Sequence, residues 1–451
     1  MAPLSDFSRL IRSRGVVGAG GAGFPSHIKA SAQARTVLVN AAECEPLLQK
    51  DREILTHFAS DVIRGLELLM AATGASQGVI AIKEKHAGLV ANLRRVLASK
   101  KNLRVHALGD YYPAGDEFCQ VYEATGNLIG MGGLPLQAGV VVNNVETVYN
   151  MAHARTTPVV DTFLTVAGAV RKPCTLRLPV GTAMADAVAL AGGATVRDCV
   201  ALDGGAMMGR VRDDFSQPLT KTSGGFILLP RSHPLVLRKA AGRVVFDRAG
   251  KSTCDQCSLC TELCPRYLLG HDVQPHKVMR GLLFSGSDRK TWSHWSLLCC
   301  ECKLCSLYAC PENLNPGDIC AAAKRDLAGE NVSWSNSPLN RGLSPRAHPL
   351  RSWRRIPTSA LTARLGLDDY AVEAPLRPQP YEPSMVRIPL KQHVGAACRP
   401  CVSKGQSVRR GDLIADLPED QLGAAVHASM DGRVTQIQDF IEIQSSQREL
   451  T

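Results

Sequence analysis

The sequence predicts a multidomain chain: an α/β module and a β module, then a helical cysteine-rich segment, then a second β module. Three observations predict it. Strand-like and helical patterns alternate through residues 1–155, helices become rare in 156–240 and again from 376, and ten cysteines crowd between Cys254 and Cys320. Strands that alternate with helices imply a largely parallel sheet. The 451 residues give ample material for several cores, at roughly 100–200 residues per domain. With 45% hydrophobic and 21% charged residues the composition is that of a globular protein and excludes a mostly disordered chain. No apolar run approaches the roughly 18 residues of a membrane-spanning helix. The opening MAPLSDFSRLIRSRG lacks the apolar core of a signal peptide.

In 1–155 a helical stretch, Leu4 to Arg14, ends at Gly15 and runs into the glycine-rich loop GVVGAGGAGFP. Strands follow at TVLVNAAE, GVIAIKEKH, RVHALGD and GVVVNNVET, with helices at Asp51–Ala72 and His86–Ser99 between them. In 156–240 the strand signals TFLTVAGAV, PCTLRLPVG and DCVALDGG surround one helix, Met184 to Ala191, as in a β-grasp module. Residues 241–330 hold the cysteines and short helices. Residues 331–375, rich in Pro, Ser and Arg, read as a linker. From 376 to 451 SMVRIPL, GDLIADL and GAAVHASMDGRVTQIQ are all β.

The net charge is +11, compatible with nucleic acid, anionic lipid or phosphate-bearing ligands. Much of the excess sits at Arg341, Arg346, Arg351, Arg354 and Arg355, where a solvated linker is the simplest reading and binding of RNA or an acidic partner the competing one. Only 5% of residues are aromatic, so base-stacking platforms are scarce and nucleic acid is not an expected partner.

The cysteines carry the chemistry. A chain this long needs no disulfide staples, and clustered thiols in a reducing compartment point to metal. Cys254, Cys257, Cys260 and Cys264 form C-x2-C-x2-C-x3-C before Pro265; Cys299, Cys302, Cys305 and Cys310 form C-x2-C-x2-C-x4-C before Pro311. This is the bacterial pattern for two [4Fe–4S] clusters, in which the thiolate before proline serves the other cluster. The expected sets are Cys254, Cys257 and Cys260 with Cys310, and Cys299, Cys302 and Cys305 with Cys264. The extra residue in the second motif leaves that crossing open, and Cys300 competes with Cys299. Zinc, the alternative, is usually held by two separated CxxC pairs rather than by such runs. Cys398 and Cys401 form a lone CxxC read as packing, Cys320 reads as a buried thiol, and Cys44, Cys119, Cys174 and Cys199 read as small hydrophobes. His86, His271 and His276 read as ordinary surface or core residues.

Gly18, Gly20 and Gly23 spell G-x-G-x-x-G, and Glu43 lies 20 residues beyond Gly23. A dinucleotide fingerprint wants a strand before that loop, and here a helix precedes it. A loop that cradles a phosphate or flavin fits better, because glycines let backbone N–H groups approach a phosphate closely.

Four motifs in order, GAGGAGFPSHIK, NAAECEPLLQKDREIL, YPAGDE and VVNNVET, resemble the flavin- and NADH-binding subunit of respiratory complex I and the RnfC component of the Rnf electron-transport complex. The resemblance implies FMN held by Gly18, Gly20, Gly21, Gly23, Lys29, Asn40, Glu43, Tyr112, Gly115, Asn143, Asn144 and Thr147. It implies NADH contacts from Phe24, Glu45 and Glu117. The complex I protein has Arg in the slot of Ala19, so one contact is missing. Over its whole length the chain is similar to the cobalamin reductases of bacterial propanediol utilisation. That family implies a soluble-ligand-binding β-grasp domain at 156–240, a ferredoxin-like two-cluster domain at 241–330 and a biotinyl/lipoyl-like barrel-sandwich at 376–451. Met430, Asp431 and Gly432 supply no carrier lysine, so no lipoylation or biotinylation is expected.

The family implies an NADH-dependent oxidoreductase. A flavin accepts a hydride and releases single electrons through two clusters to cobalamin, while the protein sets geometry and potential. It also implies a cob(I)alamin adenosyltransferase and a microcompartment shell protein as partners, in the bacterial cytoplasm within or on a microcompartment. The alternatives are an electron-input subunit of an Rnf-like membrane complex, with ferredoxin or quinone as partner, and a conduit or scaffold without NADH oxidation. In the Rnf protein the barrel-sandwich precedes the flavin domain, which argues against the first; the missing arginine at position 19 favours the second.

Overall fold

The computed structural model describes residues 5–378 and 380–446. The first helix, α1 (Asp6–Ser13), is capped by the Ser5 hydroxyl, which accepts from the Ser8 amide at 3.2 Å. It stops at Arg14, and Gly15, at φ +73°, turns the chain into the glycine loop. After the short α2 (Ser26–Ala30) come β1 (Thr36–Ala41), α3 (Lys50–Thr73), β2 (Gln77–Lys83), α4 (Ala87–Leu97), β3 (Leu103–Leu108), β4 (Tyr111–Tyr112), α5 (Glu117–Thr125), β5 (Val140–Asn144) and α6 (Val145–His153). β1, β2, β3 and β5 form one parallel sheet in the order β3-β2-β1-β5. Val37, Leu38, Val39, Val79, Ile80 and Ile82 are buried, the unbroken apolar run that a sheet covered on both faces demands. Asn40 lies opposite Asn144 in register. The polar residues that end β1 and β5 therefore meet at the carboxyl edge, where ligands of open α/β sheets bind. α3 and α6 cross closely: a Cβ on Gly65 would stand 2.1 Å from the Val148 carbonyl oxygen.

The next module is a five-stranded sheet of β6 (Asp161–Gly168), β7 (Cys174–Pro179), β8 (Cys199–Asp203), β9 (Arg210–Arg212) and β10 (Gly225–Pro230), with one helix, α7 (Met184–Leu190). The order is β7-β6-β10-β8-β9, with only β6 and β10 parallel. The sequence patterns signal β6, β7, β8 and α7 but not β9 or the central β10. The GFILLP run of β10 is apolar on both faces and so shows no alternation to read. At the C-terminus two small sheets, 385–389 with 407–408, 432–437 and 440–444, and 399–400 with 413–416 and 426–427, enclose Val386, Ile388, Ile414, Val426, Ile441 and Ile443.

Within 331–375 Arg341 and Arg346 are exposed, as a solvated linker expects, but the stretch from Arg351 differs. Arg351 is 6% exposed, and its guanidinium pairs with Glu123 at 2.6 Å. Arg355 reaches the same carboxylate at 2.5 Å, and Arg354 pairs with Glu262. Ile356 and Pro357 add a short strand to β4, and Thr358 accepts from the buried Lys83 ammonium at 2.8 Å. The arginines are drawn down by carboxylates on α5 and on the first cysteine motif, so the segment clamps these two regions together. Among the described residues no helix is long and apolar enough to cross a membrane.

Candidate functional site

The glycine loop closes on itself. The Gly18 amide donates to the Phe24 carbonyl at 2.9 Å, and the Gly23 amide to the Gly18 carbonyl at 3.2 Å. Between these closures Gly20 and Gly21 are exposed, Gly21 at φ +99°, and their amides reach no protein acceptor among the described residues. A Cβ on Gly21 would meet nothing within 4 Å, whereas one on Gly20 would stand 3.3 Å from the Asn144 Cβ. Ala19, under the loop, is buried; its amide donates to Thr147 Oγ1 and its carbonyl accepts from Lys50 Nζ, both at 2.9 Å.

Lys50 also pairs with Glu146 at 2.8 Å, and these side chains are only 3% and 1% exposed. Burial alone would lower the Lys50 ammonium, but Glu146 and Asp51 hold it above the usual lysine range. Glu146 in turn accepts from the Phe163 amide at 3.0 Å, tying the site to β6. Asn144 caps α6 by accepting from the Glu146 amide at 2.9 Å and donates to Asp51 at 3.0 Å. Asn143 is 4% exposed and its Nδ2 has no partner. Burial, and next the Asp51 charge, push the Glu43 carboxyl up to about 8.

The other predicted contacts surround this centre. Lys29 Nζ donates to the Val142 carbonyl at 2.6 Å and to Glu117 at 3.2 Å. Asn40 donates to the Gly115 carbonyl at 2.9 Å and accepts from Gln120 at 2.7 Å. The Gly115 amide donates to Cys44 Sγ at 2.7 Å, and a Cβ there would collide with that sulfur. Cys44 packs against two apolar clusters, as a small hydrophobe would, and also accepts this amide. Phe24 is half-buried. Glu45 accepts from the amides of Met207 and Met208 at 2.7 and 2.8 Å, so the loop between β8 and β9 covers it. Tyr112 is buried, and its hydroxyl donates to the Cys302 carbonyl at 2.8 Å. A residue expected at the flavin therefore reaches the second cysteine motif.

The two cysteine motifs share one backbone. Gln256 and Ser258 sit at φ 58° and 61°, Glu301 and Lys303 at φ 59° and 63°. Each pair lies two and four residues after the first cysteine, which makes Cys299, not Cys300, the counterpart of Cys254. Left-handed backbone at a non-glycine residue costs energy and persists where the surroundings impose it. Cys254, Cys257, Cys260 and Cys310 line one small cavity, open to solvent, with Gln256, Ser258, His276, Met279 and Glu312. Cys264 lies on the other side, where its thiol feels Cys299 and Cys300 and acts on Cys302 and Cys305. The buried Cys320 thiol lies beside Cys299. Among the described residues no three His, Cys, Asp or Glu side chains gather tightly enough for a single metal ion.

Comparison with known proteins follows this division. The chain matches the Nuo51 FMN-binding domain over residues 11–153, the SLBB domain over 163–211, the 4Fe-4S dicluster domain over 253–315 and the RnfC barrel sandwich hybrid domain over 369–450. It is 42% identical over 429 residues to the cobalamin reductase PduS of Citrobacter freundii, covering 95% of this chain and 93% of that protein. The chain belongs to the PduS cobalamin reductase family. The PduS of Salmonella typhimurium is likewise 42% identical, over 95% of this chain and 94% of its own length. The C component of the Na(+)-translocating ferredoxin:NAD(+) oxidoreductase complex of Acetobacterium woodii is 30% identical over 58% of each chain.

The residues present fit FMN. The free amides of Gly20 and Gly21, the unpartnered Asn143 Nδ2 and the open face of Gly21 are what a bound phosphate and polar ring edge would satisfy. They fit clusters as well, since thiols around a cavity on a twice-used backbone suit a cubane. Lys50, Asp51 and Glu146 join the site although no sequence signal announces them. They lie inside the motifs QKDREIL and VVNNVET, but nothing in a single sequence marks a charge as buried.

Proposed function

We propose that this protein is an NADH-dependent cobalamin reductase. FMN held at the glycine loop would supply hydride acceptance, and with iron–sulfur groups held by the cysteine motifs it would supply single electrons to cobalamin. One NADH reduces two cob(III)alamin to two cob(II)alamin, releasing NAD+ and one proton; further reduction to cob(I)alamin supplies an adenosyltransferase. The carrying observation is the Tyr112–Cys302 hydrogen bond, which joins the flavin cradle directly to a cysteine motif.

Gly18, Gly20, Gly21, Gly23, Lys29, Asn40, Glu43, Gly115, Asn143, Asn144 and Thr147 would hold FMN, with Tyr112 as the joint behind them. Phe24, Glu45 and Glu117 would meet NADH, Glu45 after the Met207–Met208 loop yields. One cluster would bind Cys254, Cys257, Cys260 and Cys310, the other Cys299, Cys302, Cys305 and Cys264. The shared cavity and the paired left-handed turns support these sets. The domain limits 1–155, 156–240, 241–330 and 376–451, with 331–375 between the last two, belong to the same reading. So do a propanediol microcompartment in the bacterial cytoplasm as the setting and a shell protein as partner. Anaerobic holoprotein should contain flavin, iron and sulfide, and NADH should bleach the flavin and reduce hydroxocobalamin. Zinc in place of iron, or cobalamin left oxidised beside bleached flavin, would defeat the reading.

A further inference from the structure

We propose that cobalamin binds at the mouth of the Cys254–Cys310 cavity, so that electrons leave the protein beside Cys257 rather than from the second cysteine motif or the glycine loop. This rests on the ligand sets above.

The observation is an asymmetry between two copies of one backbone. Of the eight motif thiols only Cys257 is exposed; Cys260, Cys264, Cys302, Cys305 and Cys310 are buried. The second motif is covered by contacts from neighbouring elements. Tyr112 donates to the Cys302 carbonyl, and Lys324 donates to the Cys299 carbonyl at 2.9 Å. Lys303, the counterpart of Ser258, is tied to Asp318 at 2.7 Å. Gly317 presses on Cys305: a Cβ there would stand 3.1 Å from its sulfur. The first motif stays open among the described residues. Asp255, Cys257 and Glu312 are exposed around its cavity, and Leu259, two residues beyond Cys257, keeps 42% of its surface in solvent.

The rim suits the ligand. A corrin carries an apolar, methyl-bearing edge hung with uncharged primary amides. Leu259, exposed two residues along the chain from Cys257, supplies apolar surface on this motif. Asp255 and Glu312 accept amide N–H, and Gln256 and Ser258 can donate or accept. Tyr112 at the inner motif and Cys257 at the outer one give the molecule an entry side and an exit side. Each cob(III)alamin takes one electron at the mouth, and the two come from one NADH.

The test uses full-length anaerobic holoprotein carrying Leu259→Glu or, separately, Glu312→Lys. With NADH in excess, KM for hydroxocobalamin and the Kd for cob(II)alamin by equilibrium dialysis should each rise about fivefold or more, while iron content and NADH-driven bleaching stay as in the parent. Glu312→Lys lies outside the cysteine spacing and keeps the test sound if Leu259→Glu loses iron. Unchanged KM and Kd in Glu312→Lys and in any iron-replete Leu259→Glu would overturn the port. So would slowing seen only with cobalamin presented on the adenosyltransferase, which would assign the rim to a protein partner. Failure of the parent to bleach with NADH would count against the proposed function instead.

Discussion

The glycine loop and the cysteine motifs, the two proposed cofactor cradles, are built in opposite ways. The cysteine motifs carry their geometry with them: fixed spacing, a left-handed turn two and four residues after the first thiol, proline after the last. The glycine loop is held from outside. Thr147 and Lys50 grip Ala19 from below. The Val394 amide donates to the Gly23 carbonyl at 3.0 Å, and His393 packs against Gly23 so closely that a Cβ would stand 3.1 Å from its Cα. Lys221 of the module of β6 to β10 donates to the Gly15 and Ala425 carbonyls at 2.9 and 2.8 Å. A local motif survives damage elsewhere in the chain; a loop gripped by three modules does not.

The sharpest break of that comparison is Lys50→Met, which leaves Glu146 charged and buried without its partner. Breaking a buried pair from one side costs about 3–5 kcal/mol. Denaturation of the variant should show that loss together with lost flavin, whereas iron content should fall far less. The double variant Lys50→Met/Glu146→Leu should recover much of the stability but not the flavin. Equal loss of iron and flavin would mean the two cradles are not independent.

Lys221→Met tests the grip from the far side. Burial already pushes its ammonium down to about 8, and it has only carbonyl acceptors. Two buried carbonyls would lose their donor, at about 1–3 kcal/mol each. The expected result is a raised Kd for FMN, read by flavin fluorescence, at unchanged iron content. Unchanged FMN affinity would reduce the C-terminal module to a bystander.

Glu43 gives the comparison a pH signature. Its folded value of about 8 lies above the ordinary 4.5, so in this window the folded flavin-free protein holds a proton that the unfolded chain has released. Stability contributed by this group is therefore present below 4.5 and lost as pH rises through 8. Denaturation midpoints of the apoprotein should fall from pH 5 to pH 8, and Glu43→Gln should flatten that slope. An identical slope in the variant would remove Glu43 as its source.

The same contrast explains what could be read in advance. The parallel strands, α3, α4 and the cysteine spacing announce themselves because each is a local pattern of apolar period or motif. The glycine loop is legible as a cradle from Gly18, Gly20 and Gly23, but its supports are not. Lys221, Gln392 and His393 stand about 200–375 residues away in sequence, and a buried lysine looks like a surface one when only its neighbours in the chain are known. Arg351 misleads for the same reason, since its partner Glu123 lies in a different module. Cys299 and Cys300 cannot be told apart by spacing alone; the left-handed turns at Glu301 and Lys303 align Cys299 with Cys254.

The smallest expected effect sits where the two cradles touch. Tyr112→Phe removes one hydroxyl and leaves the ring, so the cis Tyr112–Pro113 turn and the packing beneath it remain. The Cys302 carbonyl loses a buried donor, at about 1 kcal/mol, which flavin content and iron content should both tolerate. The informative readout is kinetic. If this hydroxyl holds the second motif against the flavin side, rapid mixing with NADH should show flavin bleaching at the parent rate and a several-fold slower loss of the cluster absorbance. A merely structural hydroxyl would shift the denaturation midpoint by the same amount and leave both rates alone. That outcome would make the joint a matter of packing and move the junction between the cradles to Cys44 and Gly115.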